Sequence, residues 1–155
     1  MKTTPTRPML PKPIGPDAHC AIDYGFAAFM MLAPDLLGLN RIARSLCYFF
    51  GIVSGGTAAM TDSRVGLSRA ISLRRHGELE TPFLPTLLVL PWLTGQFDRR
   101  GTRDFFLGFF VIACLNFFLT DYNAGQTARK ARSTAKKIAA QAQRESIGET
   151  TGYAS

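Results

Sequence analysis

The sequence predicts an all-α integral membrane protein with four transmembrane helices, built as two parallel-related helical hairpin repeats. Three observations predict it. Apolar runs at 20–39, 45–61, 82–95 and 105–120 alternate with short charged patches. Charged residues make up 19% of the chain against 46% hydrophobic, below the roughly 25% charged of soluble domains. A polar spacing pattern beginning at His19 recurs from His76.

Residues 1–18 form a Pro-rich tail. It lacks the apolar core of a cleavable signal, and Pro5, Pro8 and Pro11 would line one face of a polyproline II helix. The first two-helix membrane repeat covers 19–64. Asp17 after Pro16 suits an N-cap for its first helix. Pro34 should kink that helix and Gly38 should end it. In its second helix Gly51 and Gly55 make a small-xxx-small step that lets two backbones approach closely. Residues 65–81 read as a cytoplasmic linker, because Thr81-Pro82 resembles an N-cap followed by its first helical residue. The second repeat, 82–122, carries Pro91 and Gly95 at the matching steps, with Asn116 the polar residue of its last helix. Residues 123–155 form a basic tail, helical over about 127–144 from its Ala, Lys, Arg and Gln content and disordered beyond.

A soluble bundle would show polar residues every three or four positions along each outer face. The run from Phe105 to Leu119 offers only Asn116. Helices apolar all round are buried or in lipid, and 155 residues hold too little protein to bury four of them. The runs are short against the roughly 20 residues that cross a hydrocarbon core, so their polar ends must snorkel or the bilayer must thin. The tails and the middle loop hold 13 of the 18 basic residues, and the other two loops hold five. The positive-inside rule then places both termini in the cytoplasm of a multi-pass inner-membrane protein. Trp92, Tyr48 and Tyr122 sit near helix ends, where interfacial aromatics belong. The net charge of +7 suits anionic lipid headgroups, and without an RNA-binding motif or zinc spacing nucleic acid is not an expected partner. Cys20, Cys47 and Cys114, odd in number and set in apolar surroundings, read as small buried hydrophobes.

The repeat has the form H-x3-[DE]-x10-P-x3-G, a helix, then Thr-Asp. His19, Asp23, Pro34 and Gly38 align with His76, Glu80, Pro91 and Gly95 at a constant offset. Ungapped, the alignment continues through Phe49 with Phe106 and Gly51 with Gly108. Thr61-Asp62 and Thr120-Asp121 close the units, the second two residues late. Two crossings per unit make the units parallel, with both histidines and both Thr-Asp ends at the cytoplasmic face. The segments "HCAID" (19–23), "APDLLG" (33–38), "TDS" (61–63), "LPWL" (90–93) and "TDY" (120–122) resemble the SPW-repeat-type small bacterial membrane proteins over about 19–122. Neither copy has the full Ser-Pro-Trp tripeptide: the steps read Ala33-Pro34-Asp35 and Leu90-Pro91-Trp92. The resemblance implies topology and transfers no activity.

His19 and Asp23 share a helix face at i, i+4. With His76, Glu80, Asp62 and Asp121 they offer metal-ligand types. The blander reading is a hydrogen-bonded clamp between hairpin ends. Asp35 lies close to water at the outer end, where a proton-relay role is the alternative to a solvated carboxylate. Asn116 reads as an interhelical hydrogen-bonder. With no GxSxG, no P-loop and no nucleophile beside the histidines, an enzyme is not expected and no cofactor is called for. The expected function is that of a non-enzymatic accessory or structural membrane protein, in a larger membrane complex or a homo-oligomer. The alternative is a small transporter or metal-binding membrane protein using the His/carboxylate cluster.

Overall fold

A computed structural model describes residues 12–124 and, further along, 133–135, 137–139 and 141. The chain divides into two compact units, Met1–Tyr122 and Asn123–Ser155. In the second, the described residues 133–135, 137–139 and 141 are helical. The rest of the helix expected over 127–144 lies outside the described residues, as do 145–155 and Pro5, Pro8 and Pro11.

The first unit is all-helical: α1 (Pro16–Leu36), α2 (Arg41–Met60), α3 (Leu73–Leu93), a 3-10 turn (Gln96–Asp98) and α4 (Arg100–Leu119). The described residues contain no strand, only two isolated bridges. Among the described helices one, α4, is long and apolar enough to cross a membrane. The other three carry more polar matter: three aspartates on α1, two arginines with serine, threonine and glycine on α2, and Arg74, Arg75, Glu78 and Glu80 on α3.

Local chemistry sets the boundaries. Pro16 starts α1, where its missing N–H costs nothing. Gly15 is the N-cap; Asp17, expected there, sits in the first turn and accepts from the Arg64 backbone N–H at 2.7 Å. Asn40 caps α2, its Oδ1 accepting from the N–H groups of Ile42 and Ala43. Ser72 caps α3 through the Arg75 N–H. This corrects the expected start at Pro82. Residues 73–81 are mostly good helix formers, and the helix continues through Pro82, Pro85 and Pro91. His76 and Glu80 are therefore helical, not part of a linker. Gly38 and Gly95 follow the C-caps of α1 and α3 with φ of 61° and 69°, left-handed values that favour glycine.

α1 and α3 are both 21 residues long, and α2 and α4 are both 20. The α1–α2 connection spans 37–40 and the α3–α4 connection 94–99, lengthened by the 3-10 turn. α4 therefore starts two residues later, relative to α3, than α2 does relative to α1. Counted from the helix starts, Phe106 stands at the position of Cys47 and Phe109 at that of Phe50, two residues off the ungapped pairing of Phe49 with Phe106 and Gly51 with Gly108.

α1 packs chiefly on α2, and α3 on α4. At Gly51 an added Cβ would lie 3.2 Å from the Ala27 carbonyl and Met30 Cβ, and at Gly55 3.0 Å from Ala27 Cβ. The small-residue step thus serves contact within the chain. Phe29 of α1 stacks against Phe105 and Phe109 of α4, Phe26 meets Phe109 edge-on, and Phe50 of α2 meets Phe83 of α3 and Phe106 of α4. Around the bundle the order is therefore α1, α2, α3, α4. Met30, Cys47, Phe50, Leu87 and Phe106 form the buried centre. The outward faces stay apolar: Leu32 and Leu36 on α1, Ile52 on α2, Trp92 and Leu93 on α3, and Val111, Leu115 and Phe118 on α4 are exposed.

Candidate functional site

His19 and Asp23 stand one turn apart on α1, and His76 and Glu80 one turn apart on α3. The bundle brings the two pairs together at one end. The ring nitrogens His19 Nε2 and His76 Nε2 are 3.3 Å apart. Asp23 Oδ2 lies 3.3 Å from His19 Nε2 and 3.2 Å from His76 Nε2. Glu80 reaches His19 Nε2 at 3.4 Å through Oε2 and His76 Nε2 at 3.7 Å through Oε1. His19, Asp23 and His76 are at most 1% exposed.

The histidines are oriented crosswise. His19 Nδ1 meets the Thr120 hydroxyl at 2.9 Å, and His76 Nδ1 meets the Thr61 hydroxyl at 2.7 Å. Each hydroxyl also donates to a helical carbonyl at 2.6 Å, Thr120 to Asn116 and Thr61 to Thr57. A hydroxyl has one proton, and a carbonyl can only accept. The proton therefore goes to the carbonyl, and the hydroxyl oxygen accepts from the imidazole Nδ1–H. This assigns Nδ1 as the protonated nitrogen in both rings and turns both Nε2 atoms toward the centre.

Backbone bonds fix the threonines. Ile14 lies five residues before His19 and Ile71 five before His76. The Ile14 N–H donates to the Leu119 carbonyl and the Asp121 N–H to the Ile14 carbonyl; the Ile71 N–H donates to Met60 and the Asp62 N–H to Ile71. The same ladder thus closes both ends of the bundle's polar face. The carboxylates are held too. Asn116 Nδ2 donates to Asp23 Oδ1 at 3.2 Å, and the Tyr122 hydroxyl donates to Glu80 Oε2 at 2.5 Å. Burial and the adjacent Glu80 charge push the Tyr122 phenol above its ordinary range, so it remains a donor. Gly77 makes room for Tyr122: a Cβ there would lie 2.6 Å from the ring.

Four of the six expected polar residues, His19, Asp23, His76 and Glu80, form one group whose ligand-type atoms all lie within 4.8 Å of one another. Asp62 and Asp121 are not members; the preceding threonines enter instead. In extended chain, successive side chains face opposite sides, so a site that receives Thr61 and Thr120 turns from the next residue. Tyr122, expected as an interfacial aromatic, joins this cluster through Glu80 and His19. Asp35 sits at the other end, half exposed, accepting from Tyr48 at 2.8 Å and paired with Arg44 at 3.0 Å. Tyr48 is thus held by Asp35. At that end Asn40 Nδ2 donates to the buried Gln96 at 2.6 Å, a second polar tie between the hairpins. Pro34 and Pro91 are buried at matching positions. A cavity of about 30 Å³ opens beside Asp23 and Glu80 toward Phe26, Met30 and Phe50, room for a water or two and no more.

Scans against protein-family models, curated proteins and solved structures find no match to this chain. The likeness to SPW-repeat proteins therefore rests on the short motifs alone.

Proposed function

We propose that this chain is a non-enzymatic, four-span membrane protein whose two duplicated hairpins are locked together at their cytoplasmic end by the His/carboxylate cluster. The observation that carries the reading is where the polar chemistry sits. All four helices present large apolar side chains outward, while the titratable cluster is turned inward, with His19, Asp23 and His76 buried and Glu80 partly so. Water would leave those outward faces unsatisfied, and lipid would not. Equal helix lengths, crossed His–Thr bonds and two like backbone ladders support duplication of one hairpin. The burial of both histidines, each at most 1% exposed, supports a structural or accessory role over catalysis.

Alkaline carbonate washing of native membranes tests the membrane reading, with the protein expected in the pellet and release into the wash overturning it. Gentle-detergent extraction tests the accessory role, with expected co-elution in an assembly larger than one chain. A strictly monomeric protein would contradict that role. A second reading, metal binding, has its own specific support in the convergence of the four ligand types.

A further inference from the structure

We propose that His19, Asp23, His76 and Glu80 form a tetrahedral site for one divalent first-row transition cation, with zinc as the best match. Three of the four corners already stand close to tetrahedral spacing, and the fourth is within a small side-chain adjustment of it. A tetrahedron's edge is about 1.6 times its centre-to-corner distance, so metal–ligand bonds of about 2.0–2.2 Å require edges of about 3.3–3.6 Å. Asp23 Oδ2, His19 Nε2 and His76 Nε2 stand 3.2, 3.3 and 3.3 Å from one another; Glu80 Oε1, the oxygen that Tyr122 leaves free, is 3.7 Å from His76 Nε2, and the four ligand atoms all lie within 4.8 Å of one another.

Each ligand also has its outer partner. Thr120 holds His19 at Nδ1, Thr61 holds His76 at Nδ1, Asn116 holds Asp23 at Oδ1, and Tyr122 holds Glu80 at Oε2. One atom of each side chain is thereby engaged from behind and another is left for the centre, the arrangement that orients metal ligands. Asp23 Oδ2 is the independent sign. It is buried and faces the centre, and with both imidazoles protonated at Nδ1 the only polar atoms beside it are the two bare Nε2 atoms at 3.3 and 3.2 Å, so it accepts no hydrogen bond. An orphaned carboxylate oxygen is costly in a buried site, and a cation between it and the two Nε2 lone pairs would remove that cost. With two neutral imidazoles and two carboxylates, a dication leaves the site uncharged. The nitrogen and oxygen donors, with no thiolate among them, favour zinc, manganese or iron(II) over copper(I), and imidazole disfavours calcium and magnesium.

The test uses the full chain purified in mild detergent, stripped with chelator and titrated with Zn²⁺ by calorimetry. The expected result is one zinc per chain, with affinity reduced at least about 100-fold in D23N and in H76Q. No binding by the wild type, or binding unchanged in both variants, would overturn the site. Cobalt(II) substitution of the wild type gives a second readout that needs no variant to fold. Intense tetrahedral ligand-field absorption without thiolate charge transfer is expected; an octahedral spectrum, or one with thiolate bands, would overturn the proposal. Neither result depends on how many helices span the membrane, so failure here is distinguishable from failure of the topology.

Discussion

Replacing Thr61 by valine removes one oxygen from the cluster and almost nothing else. Valine keeps the β-branched shape, so packing is conserved, but the acceptor 2.7 Å from His76 Nδ1 disappears. A buried N–H left without a partner costs about 1–3 kcal/mol. Interhelical hydrogen bonds in membranes average about 0.6 kcal/mol, with about 1.7 at the upper end. Thr61 is fully buried, so the expected loss is about 1–2 kcal/mol. His76 could relieve the orphan by moving its proton to Nε2, but that points a donor at the metal position, and zinc affinity should then fall about 10–100-fold. Reversible unfolding in mixed detergent micelles, followed by circular dichroism, measures the first effect, and zinc titration the second. T61S keeps the hydroxyl and should lie near wild type. T120V, acting on His19 through the same geometry, should match T61V in size. If T61V and T120V both unfold within about 0.3 kcal/mol of wild type, or if T61S is as damaging as T61V, the crossed His–Thr orientation is wrong.

Two further substitutions probe the surroundings. G77A should destabilise, although alanine is the better helix former by about 1 kcal/mol, because the new Cβ collides with the Tyr122 ring; adding Y122A should relieve the collision, and an unrelieved loss in thermal unfolding would refute the cause. F50A empties a site that is 1% exposed between Phe83 and Phe106 and should cost about 3–5 kcal/mol, with a change below about 1 kcal/mol in detergent unfolding contradicting the placement of the core.

Much of this architecture is written in spacing. His19, Pro34 and Gly38 repeat as His76, Pro91 and Gly95 because a helix of fixed length must place its polar end, its proline and its left-handed glycine at fixed steps. The ungapped alignment runs two residues off in the second helices because a connection tolerates insertion where a helix does not, and Gln96–Asp98 takes up the extra residues. The start of α3 was hidden because Thr81-Pro82 carries a real local start signal that Ser72 and the burial of His76 override. The i, i+4 His/carboxylate pairs were legible as ligand types. Which half of each Thr-Asp step joins them was not, since that depends on the backbone ladder to Ile14 and Ile71. Tyr122 and Gly77 depend on a single close approach between distant segments and leave no periodic trace.

The account stands or falls on lipid surrounding these helices, with the cluster end inside the cell. Single cysteines in a cysteine-free background, R64C beside the cluster and R99C at the far connection, can be probed with a membrane-impermeant maleimide. The account predicts that R64C reacts only in inside-out vesicles and R99C only in intact spheroplasts. Labelling of both positions from the same side would contradict it.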